Sequence, residues 1–479
     1  MIDKLLIDGQ WRESSDKQRI DVIDPRTAKP FAQVQRASAA DVNAAVDAAD
    51  RAFKDWAATN VFQRTAMLRK AAQIAAEHKD ELGRLMSQEQ GKPLAEATGE
   101  AQKGADILRY YAEEAERVYG RIIENAEADT FSTVIYQPIG PCAAISPWNY
   151  PIELLAWKVG AALGSGCTLV CKLPTETPLS PLLFIKCVMD AGVPAGALNA
   201  LTGEGRTIGN ILVENPKIRK IAFTGSTPVG KTVLAACTDS LRKSSMELGG
   251  SLPMLVFKDC DLKAAVAGAV RRSFRNMGQI CIAINRIYVE REIYDDFLAL
   301  FKTETEKLTV GDGLNEKVDL GPMCKKQGVT STEEHIRDAL SKGARLVTGG
   351  EAPAVPGFEG GFWYKPTVLA DVNHGMKIMT EETFGPAVGV MPFDGLEEAL
   401  ALANDCIYGL AAIVYTQNLT TAKTCAVRID AGNVAINNVD AGVINAPYGG
   451  WKQSGFGHEH GPEGLYEYLH VKHVRVRTL

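Results

Sequence analysis

Between residues 142 and 249, short apolar runs alternate with segments of helical character, and this alternation constrains the fold more than any other feature of the chain. Because strands that alternate with helices form parallel sheets, the pattern predicts a parallel α/β sheet. The strand-like runs lie at residues 142–145, 168–171, 198–201 and 218–223. A second series predicts a second α/β unit and lies at residues 254–257, 286–289, 344–347 and 388–391.

The parts of the chain outside these two series show simpler patterns. Residues 38–115 have helical periodicity, and Ser38 is the expected N-cap of the first helix. Residues 132–139 alternate as in a strand, and residues 471–476 are typical of a terminal strand that leaves the body of the protein. The chain therefore combines an N-terminal helical region, two α/β units and a C-terminal strand.

Length and composition narrow the class of protein. The chain has 479 residues, which is too long for one hydrophobic core, so we expect two or three domains. Its net charge of −6 indicates no basic surface for nucleic acid or acidic membranes. No apolar run reaches the length of about 18 residues that a spanning helix needs, and the N-terminus lacks the layout of a signal peptide, so we expect a cytoplasmic protein. Ten scattered cysteines without zinc-type spacing favour free thiols and imply no catalytic metal.

Cys281 is the strongest candidate for a catalytic side chain. It follows a helical run at residues 262–274 and a glycine that can open a turn, and it precedes the strand-like residues 285–289. A thiol at such a junction can face a cleft between two structural units. A thiolate is a strong nucleophile toward carbonyl carbon, which indicates covalent chemistry. The alternative is that Cys281 is a small core residue, because free cysteines are often buried.

Two other polar residues lie where they can assist a nucleophile. Glu247 directly precedes Leu-Gly-Gly, so it can end a strand at a crevice where burial raises its pKa and makes it a better base. The alternative is a solvated surface glutamate. Asn149 lies in a turn after an apolar run and can offer its side-chain NH₂ to a developing oxyanion. Thiol, carboxylate and amide donor are together the parts of an acyl-transfer site.

These stretches resemble the aldehyde dehydrogenase superfamily, and the resemblance extends over essentially the whole chain. Its most specific motifs are Phe-Thr-Gly-Ser at residues 223–226, Glu-Leu-Gly-Gly at 247–250, Gly-Gln-Ile-Cys at 278–281 and Glu-Glu-Thr-Phe-Gly-Pro at 381–386. The resemblance implies NAD(P)-dependent oxidation of an aldehyde to a carboxylic acid.

The resemblance also assigns the catalytic roles. Cys281 attacks the aldehyde, and the Asn149 side chain and the Cys281 backbone NH stabilise the oxyanion. Hydride passes to the nicotinamide, which leaves a thioester, and Glu247 then activates water to release the acid. Lys158 supports proton movement.

The resemblance also implies an architecture. We expect two doubly wound α/β domains, a Rossmann-like cofactor domain and a catalytic domain, plus a small β oligomerisation arm. The arm pairs with a neighbouring subunit in a homodimer or homotetramer, and a terminal strand with no local partner suits that role. The expected boundaries are 1–122 and 142–247 for the cofactor domain, 248–447 for the catalytic domain, 123–141 and 467–479 for the arm, and 448–466 for a connecting segment.

NAD or NADP is the expected cofactor. Lys172 follows a strand and is well placed for a ribose hydroxyl or phosphate, and residues 223–226 join a strand to a helix whose amide groups can meet the pyrophosphate. Family members often carry Glu three residues after this lysine, where the present chain has Thr175 and then Glu176, so NADP use is more plausible here than in a typical member. The expected cofactor-binding residues are Ile145, Pro147, Trp148, Lys172, Thr175, Glu176, Gly205, Gly209, Phe223, Thr224, Gly225, Ser226, Leu248, Glu382 and Phe384.

The substrate pocket is expected to hold an arginine beside the nucleophile. Arg275 resembles the Phe-Arg-Asn arginine of succinate-semialdehyde dehydrogenases, which clamp a carboxylate. The second arginine position of that branch is Trp157 here, and a loop serine position is Gly442. The expected substrate-binding residues are Tyr150, Glu153, Trp157, Arg275, Ile280 and Ile282.

Several alternatives stay open at this point. Arg275 can instead form a structural ion pair with Glu153, and the substrate can be an apolar or aromatic aldehyde. A cofactor-free cysteine acyl hydrolase would need a histidine base paired with Cys281, and none of the seven histidines is indicated for that role. A non-catalytic protein of the same fold would have no need for Cys281, Glu247 and Asn149 together.

Overall fold

The computed structural model describes residues 2–238 and 240–477, and it begins with two small antiparallel hairpins followed by four helices. The first helix begins at the predicted N-cap, because Ser38 Oγ accepts the backbone NH of Asp41 and the Asp41 carboxylate accepts the backbone NH of Ser38. The strands are β1 (Leu5–Ile7), β2 (Gln10–Arg12), β3 (Arg19–Asp24) and β4 (Lys29–Gln35). The helices are α1 (Ala39–Ala58), α2 (Val61–Glu77), α3 (Lys79–Gln90) and α4 (Leu94–Ala115).

Two strands that follow the N-terminal helices and one strand at the C-terminal end of the chain form a three-stranded antiparallel sheet. Its strands are β5 (Arg121–Glu124), β6 (Thr130–Pro138) and β22 (Leu469–Arg477). Their order is β22-β6-β5, so the C-terminal strand pairs along its whole length with β6. The prediction that this terminal strand lacks a local partner is therefore wrong, because residues 130–138 return alongside it. Met1, Asp239, Thr478 and Leu479, which the predicted boundaries include, lie outside the described residues.

The predicted parallel sheet of the cofactor domain is present. Its five parallel strands lie in the order β9-β8-β7-β10-β11, and helices cover both faces, so nearly every strand residue is buried. The strands are β7 (Cys142–Ile145), β8 (Leu169–Lys172), β9 (Leu198–Leu201), β10 (Lys220–Thr224) and β11 (Lys243–Glu247). The helices are α5 (Glu153–Ser165), α6 (Leu179–Asp190), α7 (Asn210–Glu214) and α8 (Thr227–Thr238).

The second predicted α/β unit forms a seven-stranded sheet around its own hydrophobic core. The strand order is β14-β15-β16-β13-β12-β18-β19, and only the edge strand β14 is antiparallel to its neighbour. The strands are β12 (Leu252–Val256), β13 (Ile284–Glu290), β14 (Arg345–Thr348), β15 (Thr367–Ala370), β16 (Ala387–Phe393), β18 (Ala411–Tyr415) and β19 (Asn433–Ile436). The helices are α9 (Leu262–Phe274), α10 (Tyr294–Thr305), α11 (Lys326–Ser341), α12 (Lys377–Thr380), α13 (Gly395–Asn404) and α14 (Leu419–Arg428).

The segment after the second sheet returns to the first. It contains β20 (Trp451–Lys452), which pairs with β17 (Tyr408–Gly409), then β21 (Gly455–Phe456) and α15 (Gly461–Tyr466). Strand β21 is antiparallel to β11 and pairs Gly455 with Glu247, so this segment closes over the end of the strand that carries the predicted base. In the described parts of the chain, no helix has the combination of length and apolar character needed to cross a membrane.

Candidate active site

Cys281 lies in a tight turn between α9 and β13. Asn276, Met277 and Gly278 all have positive φ angles there, of 50°, 57° and 68°. Gly278 is required for two reasons, because an added Cβ would lie 2.2 Å from the carbonyl oxygen of Gly385 and its φ suits glycine. This left-handed turn ends the helical region and brings the half-buried Cys281 to the wall of a cleft, as its position in the sequence predicts.

The surroundings of the Cys281 thiol favour its protonated form. Burial is the main cause that raises its pKa to about 12, the carboxyl groups of Glu382 and Glu247 act in the same direction, and the Tyr448 hydroxyl opposes the shift. The Tyr448 oxygen lies 3.8 Å from Cys281 Sγ. The sequence interpretation missed Tyr448, since no feature of its neighbourhood distinguishes it. Because a thiolate is the reactive form, attack by this cysteine requires transfer of its proton to another group.

Asn149 is held in place through both its side chain and its backbone. Its Nδ2 donates to the carbonyl of Gln279 at 3.0 Å, two residues before the nucleophile. Its own carbonyl accepts from Lys92 Nζ at 2.8 Å and from Asn276 Nδ2 at 3.1 Å. An amide NH₂ has two donors, so one N–H of Asn149 fixes the group and the other is available to an oxyanion.

Glu247 ends β11 as predicted, and its side chain is buried. Neither carboxyl oxygen has a hydrogen-bond partner in the part of the chain that the structure describes. Burial raises its pKa well above the ordinary value, and repulsion from Glu459 adds to the shift, whereas Lys158 opposes it. A buried carboxyl group without partners can gain and lose a proton in place, as a general base must.

Lys158 lies beside this carboxyl group and has a partner that the sequence interpretation missed. Its Nζ donates to Glu459 Oε1 at 2.6 Å, to Thr224 Oγ1 at 2.7 Å and to the Leu154 carbonyl at 3.2 Å. Thr224 is the register neighbour of Glu247 on the adjacent strand. Lys158 and Glu459 thus form a buried polar pair next to Glu247.

Most of the predicted cofactor residues line one cleft. The cleft has a volume of about 610 Å³, within the range of small-molecule sites, and both Asn149 and Cys281 contribute to its wall. Gly209 lies at the end of the helical turn at residues 205–209 and is not among the residues that line the cleft, so its contact with the cofactor stays a prediction. The predicted residues that do line the cleft are Ile145, Pro147, Trp148, Lys172, Thr175, Glu176, Gly205, Phe223, Thr224, Gly225, Ser226, Leu248, Glu382 and Phe384.

The chemistry of the cleft fits a dinucleotide. Ser146 Oγ lies in the wall, buried and without a hydrogen-bond partner among the described residues. The N-terminus of α8 follows Ser226 and offers backbone NH groups to a phosphate. Lys172 Nζ donates to Thr175 Oγ1 at 3.2 Å, and burial lowers the Lys172 pKa to about 8, so the ammonium stays charged at neutral pH.

The opposite wall of the cleft comes from the catalytic domain. Glu382 Oε1 accepts the backbone NH of Gly250 at 3.1 Å, and burial raises the Glu382 pKa to about 7. Phe384 has a φ of 47°, and its ring packs edge-on against the Trp148 ring with 5.5 Å between the two ring centres. Lys325, at the start of α11, also lines this wall and pairs with Glu176, a contact that sequence reasoning did not anticipate.

The predicted substrate residues next to the nucleophile form a small apolar cluster with one charged edge. Tyr150, Ile280 and Ile282 pack together. The Tyr150 hydroxyl and Arg275 Nε both donate to the same oxygen of Glu96, at 2.9 and 3.0 Å. The alternative of an Arg275 ion pair with Glu153 is therefore wrong, because Glu96 on α4 takes that place.

Glu153 and Trp157 have other surroundings. Glu153 is half-buried at the start of α5, and burial raises its pKa to about 6. Trp157 is only 1% exposed, and its ring stacks on His460 at 3.7 Å, which itself stacks on Tyr448 at 4.8 Å. Trp157 therefore packs behind His460 and Tyr448 and offers almost no exposed surface, and its contact with the substrate stays a prediction.

No histidine serves Cys281 as a base in the described parts of the chain. His460, which reaches the site by stacking, hydrogen-bonds through Nδ1 to the Val443 carbonyl, and burial lowers its pKa to about 3. All ten cysteines are free thiols, as predicted. The arrangement at Cys281 therefore does not favour a cysteine acyl hydrolase with a Cys–His pair.

Comparisons with known proteins agree with this geometry. The profile of the aldehyde dehydrogenase family matches residues 11–474. The chain is 42% identical to the NADP⁺ succinate-semialdehyde dehydrogenase of Escherichia coli K12, over 98% of this chain and 97% of the relative. It is 40% identical to a glutarate-semialdehyde dehydrogenase of Pseudomonas aeruginosa, over 98% and 96%. It is 41% identical to a 3-sulfolactaldehyde dehydrogenase of Pseudomonas putida, also over 98% and 96%.

Solved structures give the same assignment. The crystal structure of an Escherichia coli NADP-dependent enzyme superimposes with a TM-score of 0.97 at 41% identity and covers 99% of this chain and 98% of that one. The betaine aldehyde dehydrogenase of Staphylococcus aureus, in complex with NAD⁺, has a TM-score of 0.97 at 32% identity, over 99% and 95%. The chain therefore belongs to the aldehyde dehydrogenase family and is an NAD(P)-dependent aldehyde dehydrogenase.

Proposed function

We propose that this enzyme oxidises an aldehyde that carries an anionic group at its far end, a semialdehyde such as succinate semialdehyde. The observation that carries the proposal is Arg275, which lies six residues before Cys281 and beside the apolar cluster of Tyr150 and Ile280. Three relatives support it, because their named substrates carry either a carboxylate or a sulfonate in addition to the aldehyde.

Arg275 keeps donors for such a group. Only its Nε is engaged within the described residues, by Glu96, so the two terminal nitrogens remain for an incoming anion. Its side chain is 38% exposed, so the guanidinium is reachable from solvent. The Glu96 charge weakens the attraction, which favours a looser clamp than two arginines would make.

The contacts around Cys281 support the following catalytic roles. The Cys281 thiol releases its proton to solvent as its sulfur attacks the aldehyde carbon, and the second N–H of Asn149 with the Cys281 backbone NH stabilises the resulting oxyanion. A nicotinamide cofactor, when bound, supplies the hydride acceptor. Glu247 takes a proton from the water that breaks the carbon–sulfur bond of the Cys281 thioester, which releases the acid and restores the thiol. Lys158, paired with Glu459, transfers protons between Glu247 and solvent.

We also propose that the residues lining the cleft hold the cofactor. Lys172 and Thr175 meet the adenosine ribose, the amide groups at residues 225–227 meet the pyrophosphate, and Glu382 meets the nicotinamide ribose. The fit of volume, charge and unpartnered Ser146 supports these roles. The exposed strands of the β5–β6–β22 sheet are proposed to join this chain to further copies of itself.

The test of substrate class is Arg275→Leu, assayed with a semialdehyde and with a neutral aldehyde of equal length. A hydrogen bond to a charged group contributes about 1.5–3 kcal/mol, so KM for the semialdehyde should rise by about one to two decades. KM for the neutral aldehyde should change far less. Equal effects on both substrates would refute the anionic-aldehyde proposal and leave Arg275 as a structural partner of Glu96. A neutral apolar aldehyde preferred by the unmodified enzyme would favour the apolar alternative.

A further inference from the structure

An ion pair crosses the cofactor cleft. Glu176 lies in the loop after β8, on the cofactor-domain wall, and Lys325 lies at the start of α11, on the catalytic-domain wall. Lys325 Nζ is 3.1 Å from Glu176 Oε1 and 4.9 Å from the centre of the Trp148 ring. The ammonium thus has a carboxylate on one side and an aromatic face on the other, and both arrangements favour a cation.

The pair lies next to the groups that face the adenosine ribose. Thr175 Oγ1 accepts from Lys172 Nζ at 3.2 Å and donates to the Gly203 carbonyl at 3.0 Å. Glu176 is the next residue, and its charge acts on the Lys172 ammonium. Without Lys325, the Glu176 carboxylate would therefore be drawn toward Lys172, into the space in front of Thr175.

We propose that Lys325 determines cofactor specificity by holding Glu176 away from Lys172 and Thr175, so that the ribose site accepts a 2′-phosphate. A carboxylate that faced the ribose would bind the 2′-hydroxyl of NAD⁺ and repel the 2′-phosphate of NADP⁺. Lys325 neutralises the Glu176 carboxylate and holds it at the catalytic-domain wall. The Lys172 ammonium and the Thr175 hydroxyl then remain to bind the 2′-phosphate. This inference concerns the cofactor and goes beyond the proposed aldehyde substrate.

The variant Lys325→Met tests the proposal, because methionine keeps the length of the side chain and removes its charge. The dissociation constants of NADP⁺ and NAD⁺ are measured by isothermal titration calorimetry on the full-length protein without aldehyde. Failure of the semialdehyde proposal therefore cannot affect the result. We expect Kd for NADP⁺ to rise about tenfold or more and Kd for NAD⁺ to fall or to stay within about threefold.

Lys326→Met is the matched control. Lys326 is the next residue, is exposed, and its replacement makes the same change in charge at the start of the same helix. Both constants should stay within about threefold of the unmodified values in this variant. A loss of NADP⁺ affinity equal to that of Lys325→Met would show a general effect of charge near the helix start and would overturn the proposal.

Glu176→Gln separates a restraining lysine from a lysine that touches the phosphate itself. Combined with Lys325→Met, it removes the carboxylate that Lys325 is proposed to restrain, so affinity for NADP⁺ should return to within about threefold of the unmodified protein. If the double variant stays as weak as Lys325→Met alone, Lys325 contacts the phosphate directly and the proposal is wrong. Equal weakening of NAD⁺ and NADP⁺ by Lys325→Met, or more than about a thousandfold preference of the unmodified protein for NAD⁺, would also overturn it.

Discussion

Glu247 shows how far the surroundings of one side chain alter its chemistry. The residue is 5% exposed, and burial raises its pKa well above the ordinary value of 4.5. In the unfolded chain the same group ionises near that ordinary value. The unfolded state therefore loses the proton first as pH rises, so the free energy of unfolding falls above about pH 4.5 until the folded group also ionises.

Glu247→Gln should remove this pH-dependent penalty. Glutamine has nearly the same shape and no charge, so we expect Tm to rise by a few degrees at pH 8 and to change by less than about 1 °C at pH 4, where the group is mostly protonated in both states. Thermal melting followed by circular dichroism at the two pH values measures the difference. A lower Tm at pH 8 would contradict the conclusion that burial raises the pKa of the Glu247 carboxyl group.

The same variant tests the proposed catalytic role. If Glu247 activates water, Glu247→Gln should still give a pre-steady-state burst of reduced cofactor, followed by turnover slower by at least about a hundredfold. Cys281→Ser is the control, because it should abolish both burst and turnover while cofactor binding remains. Loss of the burst in Glu247→Gln would instead place this residue in the step that forms the Cys281 thiolate.

Single segments of the chain were predictable where local pattern decides the structure. Helix α9 spans Leu262–Phe274, as predicted, and the four strand-like runs after residue 141 overlap the four strands β7 to β10. Contacts between distant segments were not predictable. Arg275 and Glu96 are 179 residues apart, and Lys158 and Glu459 are 301 apart. The periodicity of apolar residues along the sequence does not indicate such pairs, so the partners of Arg275, Lys158 and Trp157 became known only from the fold.

The turn between α3 and α4 carries one such long-range contact. Lys92 is fully buried there, and its Nζ donates to Glu100 Oε2 at 2.6 Å and to the Asn149 carbonyl at 2.8 Å. The ammonium also lies 3.7 Å from the centre of the Tyr150 ring. One cation therefore joins the helical region to the loop that carries the proposed oxyanion donor.

Lys92→Met should destabilise the protein and lower kcat together. Removing one partner of a buried ion pair costs about 3–5 kcal/mol because the other charge stays buried, here that of Glu100. Denaturation in urea measures the loss. Lys92→Met combined with Glu100→Gln should recover part of the stability but not kcat, since the Asn149 carbonyl stays unanchored. A single variant that loses less than about 1 kcal/mol would show that the pair is dispensable.

The three-stranded sheet of β5, β6 and β22, which corresponds to the expected oligomerisation arm, exposes strand edges and apolar side chains. Strands β5 and β22 form its outer edges, and apolar side chains on it face solvent, with Ile122 84% and Val471 64% exposed. Unpaired strand edges and exposed apolar side chains favour association with another chain. The two α/β domains have their own cores, so this surface can be changed without loss of the site.

Ile122→Glu combined with Val471→Glu should therefore reduce self-association without abolishing the fold. Two like charges on each copy of the arm oppose its pairing with another copy, and they add no strain within the chain because both side chains point to solvent. Sedimentation velocity should show a shift from an oligomer toward the mass of one chain. Val427→Glu is the control, since Val427 on α14 is 82% exposed and lies outside the arm. An unmodified protein that sediments as a single chain, or a control that dissociates equally, would remove the arm as the assembly surface.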